Sequence, residues 1–327
     1  MITSAAMEPI TVWVLASPRD PGLRALDPAP PGVTFVRAST RDDLVGAPPP
    51  DAVFVCSMHR SVLEPLWDLA AGAPWVHSRS AGLDTLLFPA LVESPAVLTN
   101  ARGVYSPALA EFAIASVLYF AKGFPRMLRS QAEGKWDPFD MEPLAGRTMG
   151  IVGYGDIGQA VARKARAFDM RVIGLRRRPE ASAGDPLVDE VLPLDRRLDL
   201  FRRADDVVIA TPLTKETHGL VGREEIAAMK ATATLTNLGR GAVIDEPALV
   251  EALEAGRIKG AALDVFATEP LPADHPFWRL RNVVVSPHCA DNKPGWIEES
   301  MLFFLENLAR FRRGEPLHNV VEKARGY

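Results

Sequence analysis

Three residues of complementary chemistry follow three separate apolar runs in the second half of this 327-residue chain. Arg240 comes after TLTNL, Glu269 comes shortly after GAALDVF, and His288 follows NVVVS and Pro287. A histidine titrates near neutrality, so it can give a proton to a carbonyl oxygen or take one from a hydroxyl. A carboxylate beside it stabilises the imidazolium and raises its pKa. A guanidinium can fork onto a carboxylate and polarise the adjacent carbonyl. A 2-oxo acid presents that carboxylate and carbonyl together. Singly, Arg240 reads as a helix cap, Glu269 as a turn acid and His288 as a satisfied loop histidine. All three behind strands at one edge read as a site, because ligands of open parallel sheets bind outside the carboxyl ends of the strands.

The same half carries a glycine-rich turn, Gly153-Tyr154-Gly155-Asp156-Ile157-Gly158. The G-x-G-x-x-G spacing alone is weak and also fits a purely structural turn. Its context is stronger: it follows the strand pattern TMGIV and opens a helix carrying apolar Ile157, Ala160, Val161, Ala165 and Phe168. The first glycine permits a tight turn, the second lets backbone approach a pyrophosphate, and the third lets helix and strand pack closely. The helix end adds free N–H groups and a positive dipole. A nicotinamide dinucleotide held there would exchange hydride with the carbonyl carbon whose oxygen the histidine protonates.

The next strand, RVIGL, ends in Leu175-Arg176-Arg177-Arg178-Pro179, with no carboxylate before Glu180. A carboxylate there accepts hydrogen bonds from the ribose 2′-hydroxyl of NAD, whereas guanidinium groups bind a 2′-phosphate. Charge-assisted bonds of ~1.5–3 kcal/mol correspond to roughly ten- to hundredfold in affinity. NADP(H) is therefore expected, through Arg176 and Arg177, with NAD(H) as second choice; a solvated basic turn is the alternative.

The elements that must position these residues alternate between short apolar runs, Val-rich in the first five, and helical stretches, which implies βαβ units and parallel sheets. The expected strands are Thr11–Ser17, Val33–Ala38, Asp51–Cys56, Trp75–Ser80 and Val97–Ala101, then Thr148–Gly153, Arg171–Leu175, Asp206–Thr211, Thr234–Leu238, Gly260–Phe266 and Asn282–Ser286. Helices are expected over Ser61–Ala71 and Ser106–Lys122, and between Asp245, a possible N-cap, and Gly256. The stretch Gly123–Gly146, with three prolines, reads as an irregular arm or surface loop. A final helix, Pro294–Arg313, carries Ile297, Met301, Phe304, Leu305 and Leu308 on one stripe and can cross back to the first domain.

Composition narrows the class. The chain is 47% apolar and 24% charged with net charge −4, ordinary globular values without a basic field for nucleic acid. Its length fits about two domains at ~150 residues each. Two cysteines, Cys56 and Cys289, argue against a disulfide framework or a Cys-rich metal site. The longest apolar helical stretch, Phe112–Ala121, is short for a bilayer, and the N-terminus, with no Lys or Arg before Arg19, fits neither a secretory nor a transit leader. A cytoplasmic protein with no membrane, nucleic-acid or metal partner is expected.

Jointly, the glycine turn, the Asn237-Leu-Gly-Arg240-Gly block, the Leu263-Asp-Val-Phe-Ala-Thr-Glu269-Pro-Leu-Pro block and Ser286-Pro-His288 make the chain resemble the D-isomer-specific 2-hydroxyacid dehydrogenase family over nearly its whole length. The resemblance implies an α/β protein of two doubly wound parallel-sheet domains. A Rossmann-type cofactor domain (101–291) is inserted in a flavodoxin-like substrate domain (1–100 and 292–327). It makes Arg240 the substrate-carboxylate arginine, Glu269 the partner of the histidine and His288 the acid/base. Asp264 holds the nicotinamide carboxamide, and Thr211, Pro212 and Leu238 line the cofactor. Ser80-Ala81-Gly82-Leu-Asp84 matches the loop whose N–H groups, at Ala81 and Gly82, hold the substrate carboxylate. The implied activity is reduction of a small 2-oxo acid, glyoxylate or hydroxypyruvate, to the D-2-hydroxy acid by a homodimer whose Pro-rich arm contacts the partner subunit. Two departures stand out: arginine replaces the ribose acid, and Cys289-Ala-Asp291-Asn292 replaces a run of small residues after the histidine. Glu269 also argues against the formate-oxidising branch, which has Gln there. Corepressor-type relatives, which sense a dinucleotide and bind partner proteins, are the alternative class.

Overall fold

The computed structural model describes residues 8–327, so residues 1–7, part of the stretch read for a leader, lie outside the described residues. The chain divides into two compact units, Met1–Tyr105 with Lys293–Tyr327, and Ser106–Asn292. The first boundary falls after Tyr105 rather than residue 100. Ala101 still donates its N–H to Ser80 O (3.3 Å) and the Tyr105 hydroxyl donates to Arg79 O (2.5 Å). Ser106 begins the next helix and donates its hydroxyl to the Asp156 carboxylate of the second unit.

The first unit holds a five-stranded, all-parallel sheet: β1 Ile10–Leu15, β2 Val33–Ala38, β3 Ala52–Val55, β4 Trp75–Ser78 and β5 Val97–Asn100. The order is β2-β1-β3-β4-β5, the flavodoxin-like order. Alternate residues feed two apolar layers. Trp13, Leu15, Val53, Val55 and Val76 pack on one face, and Val12, Val14, Ala52, Phe54 and Trp75 on the other. Burial of both faces explains why these strands read as nearly continuous apolar runs. The helix Trp296–Arg312 returns to this unit and buries Met301, Phe304 and Leu308. Phe304 stacks on Phe54 with ring centroids 4.0 Å apart; full burial of such a side chain contributes about 1.5–3 kcal/mol.

The second unit holds seven parallel strands: β6 Thr148–Val152, β7 Arg171–Leu175, β8 Glu190–Leu192, β9 Asp206–Ile209, β10 Thr234–Asn237, β11 Gly260–Leu263 and β12 Val283–Val285. The order is β12-β11-β10-β9-β6-β7-β8. The direction of winding reverses between β6 and β9, the switch point at which doubly wound sheets bind ligands.

Four expectations need correction. β8 has no counterpart among the expected strands; three residues, only one of them buried, are too short to show a period. Strands β9 and β11 stop at Ile209 and Leu263, short of Thr211 and Phe266, because the chain leaves the sheet there to build the site. The expected helix Ser61–Ala71 is instead two 3-10 turns, Arg60–Val62 and Glu64–Leu66, followed by a single α-turn, Trp67–Ala70; Pro65 denies the donor a longer helix needs. The stretch 123–146 begins with a helix, Phe124–Ala132, and Pro125 sits in its first turn, where its missing N–H costs nothing. The capped helix is Glu246–Glu254, and Asp245 accepts from Ala248 N–H at 3.1 Å. Among the described residues no single helix is long and apolar enough to cross a membrane.

Candidate active site

The glycine turn leaves β6 at the switch point, and each glycine is there for a different reason. Gly153 has φ +95°, and a Cβ on it would stand 2.8 Å from the backbone of Ala210 and Thr211. Gly158 would put a Cβ 2.5 Å from Gly153 O and 3.0 Å from Ile151 Cγ2, so its bareness lets helix Asp156–Arg166 press on the turn. At Gly155 nothing lies within 4 Å of that position. The first backbone bond into the helix is Gln159 N to Gly155 O, 2.8 Å. The N–H groups of Asp156, Ile157 and Gly158 therefore precede the intrahelical ladder and emerge at its positive end. Open space in front of unspent donors fits a pyrophosphate.

Tyr154, expected among the cofactor contacts, turns inward. Its side chain is 0% exposed and its hydroxyl donates to Asp185 Oδ2 at 2.9 Å. The N–H groups of Gly153 and Tyr154 both donate to Leu175 O, 3.0 Å each. Next to that carbonyl begins the arginine turn. Arg176 is half-buried and donates from Nη1 to Ser182 Oγ at 2.6 Å, and Arg177 donates from Nη1 to Glu216 Oε2 at 3.2 Å. Thr211 is buried beyond β9, and Pro212 O accepts from the Thr217 hydroxyl at 2.6 Å. Leu238 is buried and donates its N–H to Ile209 O at 2.9 Å.

Arg240, Glu269 and His288 lie beyond β10, β11 and β12, three adjacent strands of one sheet. Asn237 shapes the first exit, accepting Gly239 N–H at 3.1 Å and donating to Arg240 O at 3.1 Å. Gly241 then packs directly on the β11 exit. There Phe266 donates its N–H to Glu269 Oε1 at 2.9 Å, and Glu269 Oε2 lies 2.7 Å from His288 Nδ1. His288 is held from behind: its own N–H reaches Asp264 O (2.9 Å) and Ser286 O (3.0 Å), and its φ is +51°. That left-handed conformation costs roughly 1–2 kcal/mol for an L-residue. The buried Asp264 organises the loop, its Oδ1 accepting from Ser286 Oγ (2.6 Å), Cys289 N–H (2.9 Å) and Ala290 N–H (3.0 Å).

The electrostatics follow. The hydrogen bond that His288 Nδ1 donates to Glu269 raises the His288 pKa, against burial and the nearby Arg240 charge. Burial pushes the Glu269 carboxyl up, but the bonds from His288 and Phe266 N–H, with the charges of His288 and Arg240, outweigh it and hold it below the usual range. Arg240 thus acts on both members of the pair, and the three share one electrostatic neighbourhood. Burial and the Asp264 charge push the Asp291 carboxyl up. Cys56, in the first unit, is pushed up to about 12 by burial. Ala81 and Gly82 follow β4 in the first unit, where Ala81 O accepts from Asn100 Nδ2 at 2.6 Å.

Several partners had no assigned role in the sequence. Phe266 N–H, the Ser286 hydroxyl and Asn237 all lie inside the motif blocks, but only the fold pairs them. Gly241 carried a weak signal, as a glycine beside a charged residue at a strand exit.

A doubly wound unit with a phosphate-type glycine turn at its switch point defines a dinucleotide-binding protein of the Rossmann type. The sequence profile of the D-isomer specific 2-hydroxyacid dehydrogenase NAD binding domain matches residues 114–290. A glyoxylate reductase of Korarchaeum cryptofilum is 39% identical over 232 residues, 69% of each chain. A D-3-phosphoglycerate dehydrogenase of Methanocaldococcus jannaschii is 37% identical over 246 residues; the match covers 73% of this chain and 46%, about half, of that longer protein. The crystal structure of a D-isomer specific 2-hydroxyacid dehydrogenase from Xanthobacter autotrophicus, in complex with NADPH and MES, superposes with a TM-score of 0.84 at 30% identity, covering 98% of this chain and 100% of that one. The chain belongs to the D-isomer specific 2-hydroxyacid dehydrogenase family.

Proposed function

We propose that this protein reduces a small 2-oxo acid, of the glyoxylate and hydroxypyruvate class, to the D-2-hydroxy acid with NADP(H). The observation that carries the reading is the 2.7 Å contact between His288 Nδ1 and Glu269 Oε2, with Arg240 acting on both charges in the unit that bears the glycine turn. When bound, the nicotinamide supplies the hydride that a carbonyl carbon accepts. The chain's own groups do the rest. The N–H groups of Asp156, Ile157 and Gly158 hold the pyrophosphate, and Asp264 the carboxamide. Arg240 binds the substrate carboxylate and draws charge toward the carbonyl oxygen. Glu269 fixes Nδ1 and stabilises the imidazolium, which leaves Nε2 to give its proton to that oxygen. In the reverse direction the neutral imidazole takes the hydroxyl proton.

The preference for NADP(H) rests on Arg176 and Arg177 at the end of β7, where no carboxylate precedes Glu180. The NADPH bound to the Xanthobacter relative supports it. A homodimer formed through the arm belongs to the same reading. Trp136 is 95% exposed, and Leu128 and Met141 of the same stretch are also exposed, apolar side chains that a partner subunit would cover.

Oxidation of NADPH and NADH with a panel of 2-oxo acids tests the proposal. We expect turnover with glyoxylate or hydroxypyruvate, better with NADPH, and a shift toward NADH in Arg176→Asp. His288→Ala is expected to abolish reduction with little loss of cofactor affinity. Tight cofactor binding without turnover of any acid would instead favour the dinucleotide-sensing role. Near-normal turnover in His288→Ala would overturn the proton-transfer assignment.

A further inference from the structure

The glycine turn and the arginine turn are joined by a side chain that has no surface to offer a ligand. Tyr154 lies inside the G-x-G-x-x-G motif, yet its ring is fully buried beneath β7. Room for it exists because residue 174 is glycine: a Cβ there would stand 2.9–3.0 Å from Tyr154 Cγ, Cβ and Cδ2. The ring directs its hydroxyl to Asp185, where Oη donates to Oδ2 at 2.9 Å. Burial and the Asp185 carboxylate both raise the phenol pKa, so it remains a donor. Asp185 is in turn fixed in its loop, accepting Leu187 N–H on Oδ1 at 2.9 Å and donating its own N–H to Ser182 O at 3.2 Å. Ser182 closes the 3-10 turn Pro179–Ser182, and its hydroxyl receives Arg176 Nη1 at 2.6 Å. A continuous chain of short contacts therefore runs from the glycine turn through Tyr154, Asp185 and Ser182 to the guanidinium of Arg176.

We propose that the Tyr154–Asp185 hydrogen bond is a positioning device that holds the arginine turn in place beside the glycine turn, and so sets how strongly the site prefers a dinucleotide carrying a 2′-phosphate. Tyr154 and Asp185 are positioning residues: the Tyr154 side chain is buried, and both Asp185 carboxylate oxygens already accept hydrogen bonds, from Tyr154 and Leu187. The inference rests on the NADP(H) reading above. Its physical basis is that a guanidinium on a loop tethered only at its two ends loses the preorganisation a bidentate phosphate contact needs.

Dissociation constants for NADPH and NADH, read from cofactor fluorescence, test this in wild type, Tyr154→Phe, Asp185→Ala and the double variant. Tyr154→Phe keeps the ring that fills the space over Gly174 and removes only the donor. We expect NADPH binding to weaken about tenfold, the scale of one lost charge-assisted hydrogen bond, while NADH binding stays within about twofold. Unchanged NADH binding also reports that the glycine turn is intact. Asp185→Ala should reproduce the pattern, and the double variant should lose no more than the larger single loss. Equal weakening of both cofactors, or no weakening of NADPH, overturns the proposal while leaving the arginine reading untouched. A wild-type protein that binds NADH as tightly as NADPH overturns the arginine reading itself, and the positioning role falls with it.

Discussion

A Cβ added to Gly241 would stand 1.8 Å from the carbonyl carbon of Phe266. This closeness joins the exits of β10 and β11, so the backbone carrying Arg240 lies against the backbone that bonds Glu269. Gly241→Ala must push the two exits apart. We expect a stability loss of about 1–3 kcal/mol, as for other overpacked sites, visible as a lower thermal midpoint. Activity should fall further than that loss explains, because the arginine and the His288–Glu269 pair no longer share their spacing. Wild-type kcat/KM in a folded Gly241→Ala protein would show that the contact does not position the site.

Glu269→Gln tests the electrostatic role of the pair. Glu269 raises the His288 pKa. Reduction needs the imidazolium, so it is fully supported below the raised pKa and lost as pH rises through it. Replacing the carboxylate removes the largest raising influence, and the basic limb of the reductive kcat/KM profile should move to lower pH. Oxidation, which needs the neutral ring, should gain on its acidic side. A profile that does not move would remove Glu269 from control of the imidazole.

Arg240→Ala should affect substrate more than fold. Loss of one bidentate, charge-assisted contact corresponds to ~1.5–3 kcal/mol, or roughly ten- to hundredfold in kcat/KM for a 2-oxo acid. NADPH affinity should change little. Arg240→Lys should recover only part of the loss, since an ammonium lacks the planar fork. Full recovery by lysine would mean that charge alone matters there.

Asp245→Ala separates stability from catalysis. Asp245 accepts the Ala248 N–H at 3.1 Å and caps the helix Glu246–Glu254. Its removal should cost about 0.5–2 kcal/mol, measured by denaturant unfolding, with kcat/KM unchanged at temperatures well below the transition.

What the residues determined alone was local and repetitive. Short runs bounded by Gly, Pro, Ser and Asp, Val-rich in the first domain, marked eleven of the strands, because a parallel sheet buried on both faces writes its period-free apolar pattern into the chain. Arg240, Glu269 and His288 fall at one edge because they follow strands of a parallel sheet, which all end on the same side. Tertiary structure decided what depends on partners distant in sequence. The residues after Leu263 look like strand but leave the sheet, because Asp264 collects donors from residues 286, 289 and 290. The motif residue Tyr154 looks like a cofactor neighbour but turns inward, because Gly174 leaves a space and Asp185 an acceptor. His288 takes a left-handed backbone that no propensity favours, held by carbonyls of Asp264 and Ser286. Periodicity records which side of an element is buried, whereas the direction of a polar side chain follows from whichever partner the packed chain delivers to it.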